Sequence, residues 1–456
     1  MNLAFKEKTA YALGAVGKDM AYMLASGYVL YYYQDVLGVD AWIMGTILLI
    51  ARILDAFNAP LMGVVVATTH TRWGRFRPWM LVGTIPSAFL LYLVYAAPTS
   101  LNGGGLAAYA AIIYILWGVT YTMMDIPFWS MLPAFTKVGR EREGMTSLSR
   151  TAASLGSAFC NVLTVKAVQW LGGGAEILGF RRFALFVAIV FVVTIIITCL
   201  FIKEKPVEAG QTAGIGEMVK ALVKNDQTMY IVLVCVLVNG AMFITTNMLI
   251  YSFKYDFEGS AWYNSFTLFT GVGSVVQLLS MIIVLPVIRK LRTSEQTFRL
   301  GILTVIFALA LLFVFLTAGV RSLFPLFLPA VLMYTAFGIN SVMLTVSLAN
   351  TVEYGRWRYG RSDESVIFSM QAFVIKLTSG LAALIVSLAL TIGHIQGGAA
   401  EGDAAVKIAD SSLMVLRIAM TVIPSAMMLA GVMVHKKKYI LTDDRMKEIT
   451  DELTKR

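Results

Sequence analysis

Asp125 lies inside an apolar run that begins near Leu106, in the segment from Trp117 to Pro133 that reads Trp-Gly-Val-Thr-Tyr-Thr-Met-Met-Asp-Ile-Pro-Phe-Trp-Ser-Met-Leu-Pro. An ionisable side chain in mid-membrane costs about 2.5–3.5 kcal/mol on insertion scales, so it reads as functional. On a helix, Tyr121, Asp125 and Trp129 stand at i, i+4 and i+8 and share a face, with Thr122 on an adjacent flank. That face offers a carboxylate, an indole plane and two hydroxyls. A pyranose needs such a surface: an acceptor for its hydroxyls and an aromatic ring for its C–H face. The competing reading is a structural Asp paired with a basic neighbour. Pro127 removes one backbone hydrogen bond, which a buried or water-lined helix tolerates.

Seven ionisable residues fall well inside apolar spans: Lys18, Asp19, Arg52, Asp55, Asp125, Arg150 and Lys376. Standing alone they would cost roughly 20 kcal/mol together, so they must pair, face water, or both. Asp55 and Asn58 share a face of one span. With Thr122 they offer oxygen ligands to a hard monovalent cation. Arg52, three residues before Asp55, gives a simpler alternative, an internal salt bridge; the two can hold in different states. Lys166 and Arg417 also lie in spans, with no partner evident from the sequence, and read as snorkelling side chains or lipid-headgroup contacts.

These residues need long helices to hold them. Of the 456 residues, 58% are hydrophobic and 14% charged, a composition that excludes a soluble domain. The fold expected is all-α and polytopic, with spans at 10–33, 41–66, 79–98, 105–133, 146–170, 183–202, 228–252, 262–288, 297–319, 323–352, 365–392 and 412–434. This divides the chain into a six-helix half at 1–202, a charged linker at 203–227, a second half at 228–434 and a polar tail at 435–456, read as a short helix. Lys and Arg concentrate on the side carrying both termini, which the positive-inside rule makes cytoplasmic. Two six-span halves with a long linker suit a transporter built from repeats, its site near the midplane between them.

Three turns on that side mix Arg with carboxylates or aromatics. They carry Arg72, Arg75 and Arg77, then Arg142, then Glu353, Arg361 and Glu364. They read either as charge locks that break when the cytoplasmic side opens, or as solvated, topology-setting loops.

Other classes find little support. The net charge of +10 sits in short loops, which argues against nucleic acid. Cys160, Cys199 and Cys235 form no spacing motif, and the three histidines no ligand cluster. No glycine-rich phosphate loop precedes a Lys-Ser/Thr pair, and no nucleophile–base motif suggests an enzyme. A sugar sensor would need a signalling domain, and none is visible. The first span is full-length and reads as its own anchor, not a cleavable signal.

Several segments together carry a resemblance: Gly-Ala-Val-Gly-Lys18-Asp19, Tyr31-Tyr-Tyr-Gln-Asp35, Ala-Arg52-Ile-Leu-Asp55-Ala-Phe-Asn58, Arg72-Trp-Gly-Arg-Phe-Arg-Pro78, the stretch from Trp117 to Trp129, Thr351-Val-Glu-Tyr-Gly355, Glu364-Ser365, and Gln371 with Lys376. From about Tyr11 to the tail the chain resembles the glycoside–pentoside–hexuronide:cation symporters of the major facilitator superfamily. The resemblance implies a multi-pass protein of the bacterial cytoplasmic membrane that moves a melibiose-like disaccharide or related glycoside by alternating access. A hexuronide, a pentoside or uncoupled transport stays open. It implies that Asp19 and Asp125 accept hydrogen bonds from sugar hydroxyls, that Lys18 and Arg150 donate them, and that Trp129 stacks on the sugar with Tyr121 lining the site. Asp55, Asn58 and Thr122 match cation ligands. Arg52, Gln371 and Lys376 match coupling positions, Lys376 approaching from the other half. The implied partners are a sugar, a monovalent cation (H+ or Na+) and the bilayer, with no cofactor, nucleic acid or obligate protein partner.

The chain also departs from that pattern. Ala59 stands where a second acidic cation ligand is expected, Ala372 replaces a threonine, and Ser341 replaces a tryptophan in the sugar region. Asn350 and Arg356 replace acidic residues, and Arg361 precedes Glu364 by one residue more than the pattern has. Ala59 leaves four basic in-span residues facing three acidic ones. A substrate carboxylate, or water and anions, can meet the excess. The expectation is transport driven by protons or uncoupled, without tight sodium coupling.

Overall fold

The computed structural model describes residues 5–67, 69, 71–98, 100–136, 140–202, 225–256, 262–359, 364–395 and 409–455. Twelve long helices run through these residues. They are α1 (Phe5–Gly27), α2 (Ala41–Ala67), α3 (Arg77–Tyr95), α4 (Gly103–Phe135), α5 (Arg140–Gly172), α6 (Glu176–Phe201), α7 (Asp226–Asp256), α8 (Trp262–Leu279, prolonged to Leu291), α9 (Ser294–Thr317), α10 (Leu323–Tyr359), α11 (Glu364–Ile392) and α12 (Asp410–Lys438). A shorter helix, α13 (Asp443–Lys455), follows. Eleven of the twelve are long and apolar enough to cross a membrane. The exception is α1, where the adjacent Lys18 and Asp19 depress an otherwise apolar segment. The chain forms two compact units, one built on α1–α6 and one on α7–α13.

In the first unit α1 packs on α5 and α6, α3 on α4 and α6, and α2 on α4. Two glycines set close approaches that matter for the site. A Cβ on Gly156 of α5 would meet the backbone oxygen of Val16 at 2.3 Å, and one on Gly83 of α3 would meet the backbone nitrogen of Met124 at 2.6 Å. Without side chains there, α5 presses against α1 two residues before Lys18. Likewise α3 presses against α4 one residue before Asp125. In the second unit α7 packs on α12 and α11, α9 on α10 and α12, and α8 on α10.

Helices α5 and α6 begin before their expected spans, at Arg140 and Glu176, and α7 ends beyond its own, at Asp256. Three further departures change the course of the chain. The first span was expected unbroken to residue 33, but α1 ends at Gly27. A short helical turn at Val29–Tyr31 and a π turn at Tyr32–Val36 follow. Tyrosine hydroxyls spend themselves on helix ends around this break. Tyr32, Tyr33 and Tyr109 donate to the carbonyls of Tyr95, Val94 and Leu93, in the last turn of α3, where the regular i+4 helical donors run out. Tyr95 in turn donates to the carbonyl of Leu24 at 2.6 Å. The tenth span was expected to end at residue 352, with a turn after it. Instead α10 continues to Tyr359, so Glu353, Tyr354 and Arg358 are helical. The eighth span carries a π turn at Ser280–Val284, just before Pro286. The linker falls mostly outside the described residues, as do Arg361 and the side chains of Arg142, Gln371, Ala372, Arg356 and Glu364.

Candidate functional site

Lys18 organises the first unit's polar interior. Its side chain is 3% exposed, and its Nζ lies 2.8 Å from Asp125 Oδ1 and 3.4 Å from Asp19 Oδ2. A buried ammonium held by two carboxylates keeps its charge in a place where a lone one would be expelled. The same Nζ sits 4.8 Å from the ring centre of Trp129, and the Arg150 guanidinium carbon sits 4.4 Å from it. Trp129 thus has both cations against it, a cation–π arrangement that fixes the indole. Asp19, Asp125 and Trp129 are partly exposed and Arg150 is exposed, so the cluster opens to its surroundings on one side. The structure therefore brings together Lys18, Asp19, Asp125, Trp129 and Arg150 from α1, α4 and α5.

Tyr121, expected to line the sugar site, stands beside this cluster on α4. It is buried, and its hydroxyl donates to the Lys18 carbonyl at 3.2 Å, so it ties α4 to α1. Tyr11 acts similarly about two turns further along, donating to the Phe128 carbonyl at 2.6 Å and stacking on the Phe128 ring.

A second cluster lies on α2 and α4. The Thr122 hydroxyl donates to Asp55, and Arg52 Nη1 approaches Asp55 Oδ2 at 4.0 Å. Arg52 also donates to the Tyr22 hydroxyl at 3.3 Å and lies 5.3 Å from the centre of that ring. Asn58 Nδ2 donates to the Val119 carbonyl at 3.4 Å. The expected cation ligands Asp55, Asn58 and Thr122 are thus neighbours, and each is engaged with protein. Arg52, expected as a coupling residue toward the other half, is engaged inside its own unit. Tyr22 and Tyr121, with ring centres 5.5 Å apart, join the two clusters. Within these two clusters the charges balance: Lys18, Arg52 and Arg150 against Asp19, Asp55 and Asp125.

Elsewhere the correspondence is partial. Lys376 lies half-buried on α11 in the second unit, and Ser341 is partly exposed on α10. Arg72 is exposed in the turn after α2, Arg75 lies against the Phe76 ring, and Arg77 opens α3 ahead of Pro78. Glu353 is half-buried. Lys166 is exposed, as a snorkelling side chain would be. Arg417 corrects the expectation that it had no protein partner. It donates twice to buried Asp256, at 2.9 and 2.6 Å, and Arg321 reaches the same carboxylate at 2.7 Å. Asp256 had been placed beyond the seventh span, but α7 runs to it. Sequence reasoning also passed over Tyr22, one tyrosine among nineteen, and the cluster of Asp226 with Tyr354 and Arg358 at the start of α7.

Twelve membrane-length helices in two six-helix units, with a charge-paired, aromatic-lined cluster inside the first, define a polytopic membrane carrier. The chain belongs to the MFS/sugar transport protein family, whose model matches residues 10–437, within the glycoside–pentoside–hexuronide:cation symporters. It is 28% identical to an isoprimeverose transporter of Lactiplantibacillus pentosus over 85% of this chain and 80% of that protein. It is also 28% identical to the inner membrane symporter YicJ of Escherichia coli K12, over 99% of this chain and 95% of that one. Its fold is similar to that of a D-xylose–proton symporter, with TM-score 0.66 and 12% identity over 95% of this chain and 97% of the other. The chain is a multi-pass secondary sugar transporter of the bacterial inner membrane and not an enzyme.

Proposed function

We propose that this transporter carries an uncharged glycoside, by alternating access, without obligatory sodium. The observation that carries the first part is the charge balance within the two clusters of the α1–α6 unit. A substrate carboxylate entering beside Lys18 and Arg150 would meet Asp19 and Asp125, which already neutralise them. A neutral sugar asks for hydrogen bonds and a ring face instead. The partly exposed carboxylates of Asp19 and Asp125 supply the acceptors, Lys18 and Arg150 the donors, and Trp129 the face. The names of the relatives, an isoprimeverose transporter and a raffinose carrier protein of Pediococcus pentosaceus among them, support a neutral sugar as cargo.

The second part rests on Asp55. Its carboxylate holds the Thr122 hydroxyl and faces Arg52, and Ala59 adds no second carboxylate. A hard cation would have to displace the Arg52 guanidinium from the neighbourhood of one carboxylate, a weak site for sodium. The test is uptake and counterflow in vesicles with labelled neutral glycosides and a matched glucuronide, with and without sodium and a protonophore. Neutral glycosides should accumulate and sodium should leave the rate within about twofold. Preference for the glucuronide, or strong saturable stimulation by millimolar sodium, would overturn the respective half of the reading.

A further inference from the structure

On the surface of the first unit, α3 and α6 leave a groove of about 290 Å3. Ala88 and Ala188 form its buried floor, Phe89, Leu185 and Ile189 its exposed walls, and Val193 one end. Val192 and Tyr92 complete the lining, and the Tyr92 hydroxyl is its one polar side-chain group. Arg181 stands on the same stripe of α6, four residues before Leu185 and seven before Ala188. It lies at the end of the unit opposite Phe5, the end marked by the bond from Tyr31 to Glu176. Arg181 is half-buried. Its Nε is shielded from solvent without a hydrogen-bond partner, and no carboxylate pairs with it among the described residues. Its electrostatic neighbours include the phenols of Tyr32 and Tyr109. The next residue, Arg182, is already spent on the Leu171 carbonyl at 2.6 Å.

Length identifies the occupant. From Arg181 to Val193 the helix rises about 18 Å. One leaflet of the hydrocarbon core is about 15 Å deep. A cation near the membrane surface, one helical turn above a hydrocarbon channel about 12 Å long, the two together spanning one leaflet, matches a phospholipid and nothing longer. A second protein helix, about 10 Å across, is too wide for a groove of this volume.

We propose that this groove is a phospholipid site that takes one acyl chain between α3 and α6 and the lipid phosphate on Arg181. The experiment uses the full-length protein, delipidated in detergent and titrated in native mass spectrometry. The probes are phosphatidylglycerol and a diacylglycerol with the same chains but no phosphate. One phosphatidylglycerol should be retained at least tenfold more strongly than the diacylglycerol. Arg181→Gln should bring it down to the diacylglycerol level, and Ala188→Phe, which fills the floor, should remove both. Ile189→Arg, on the exposed wall, serves the same purpose should Ala188→Phe fail to fold. Equal retention of the two lipids by the unaltered protein, or undiminished retention in Arg181→Gln, would overturn the assignment. So would a dimer that holds no lipid and dissolves on filling the groove, since the face would then belong to a second copy.

Discussion

At the scale of single residues, Lys18 and Asp125 depend on each other across more than a hundred positions of sequence. The ammonium is buried, the carboxylate partly open, and the contact between them is 2.8 Å. Asp125→Asn keeps the shape but removes the charge, and a hydrogen bond to a charged group is worth about 1.5–3 kcal/mol. Sugar affinity should fall by roughly 10- to 100-fold, while the amount of protein in the membrane stays unchanged. Binding measured on purified protein, beside a surface count, reads both quantities. Unaltered affinity would remove Asp125 from the sugar site. Arg52 makes the opposite kind of case. Its replacement by Gln takes a cation from beside Asp55 and leaves Thr122 in place. Sodium-stimulated uptake should then appear or rise severalfold, and a rate still indifferent to sodium would show that Arg52 does not hold that carboxylate's neighbourhood. The need for partners was legible from the cost of each in-span charge. The choice of partners was not, because Lys18 has a sequence neighbour in Asp19 and a closer spatial one on another helix. Thr122 and Tyr121 were legible as polar groups on the right segment, but their hydroxyls turn to Asp55 and to a backbone carbonyl. Only tertiary structure supplies those acceptors.

At the scale of elements, the site is set by how near the helices come. Gly156 lets α5 rest on the backbone of α1 beside Val16, and a valine there would force the two apart by displacing backbone, not a pliable side chain. Lys18 sits half a turn away, so its reach to Asp125 would change with the helix. Gly156→Val should therefore lower transport at least tenfold and lower thermal stability together. Gly118→Val on α4, where a Cβ meets nothing within 4 Å, should leave both close to the unaltered protein. A melting curve and an uptake rate for each variant decide this, and equal behaviour of the two would mean the α1–α5 contact does not position the site. Helix number and rough extent were legible from apolar length alone, since the bilayer demands it. The break after Gly27 was not, because Tyr28 to Tyr33 carries no charge, glycine or proline that would end a span. What stops the helix is a set of tyrosine hydroxyls bonded to the ends of α3 and α1, contacts made across the fold. The extension of α10 to Tyr359 was missed for the converse reason. Its last turns are charged, but they are held by Asp226 and by the tail, so they need no membrane to stay helical.

At the scale of the whole molecule, the chain gathers its charges in two different ways. Inside the first unit Lys18, Arg52 and Arg150 meet Asp19, Asp55 and Asp125 in two adjoining clusters. Beyond the helices of the second unit the charges fasten the tail to helix ends. Asp443 opens α13 and accepts hydrogen bonds from the Ser294 backbone nitrogen at 2.9 Å and from Arg289 at 3.1 Å. It thereby serves the exposed N-terminus of α9, where a carboxylate is favoured. Further along, Glu452 accepts from the Trp357 indole at 2.5 Å, and Ile449 is buried. Partial burial alone would raise the Asp443 pKa, but the bonds from Ser294 and Arg289 outweigh it and hold the carboxyl below its usual range. A depressed carboxylate pKa contributes stability that is complete above the unfolded value, about 4, and fades as pH falls through the lower folded value. The docking of α13 should thus be constant from pH 8 down to about pH 4 and loosen only below it. Asp443→Asn, which cannot carry the charge, should loosen the tail already at pH 7. Amide hydrogen exchange across 443–455 in the purified protein measures this. Protection that is lost in the variant at neutral pH, with α7 to α12 still protected, assigns the anchoring of the tail to this one carboxylate. Full protection in the variant would assign it instead to Glu452 and the buried Ile449.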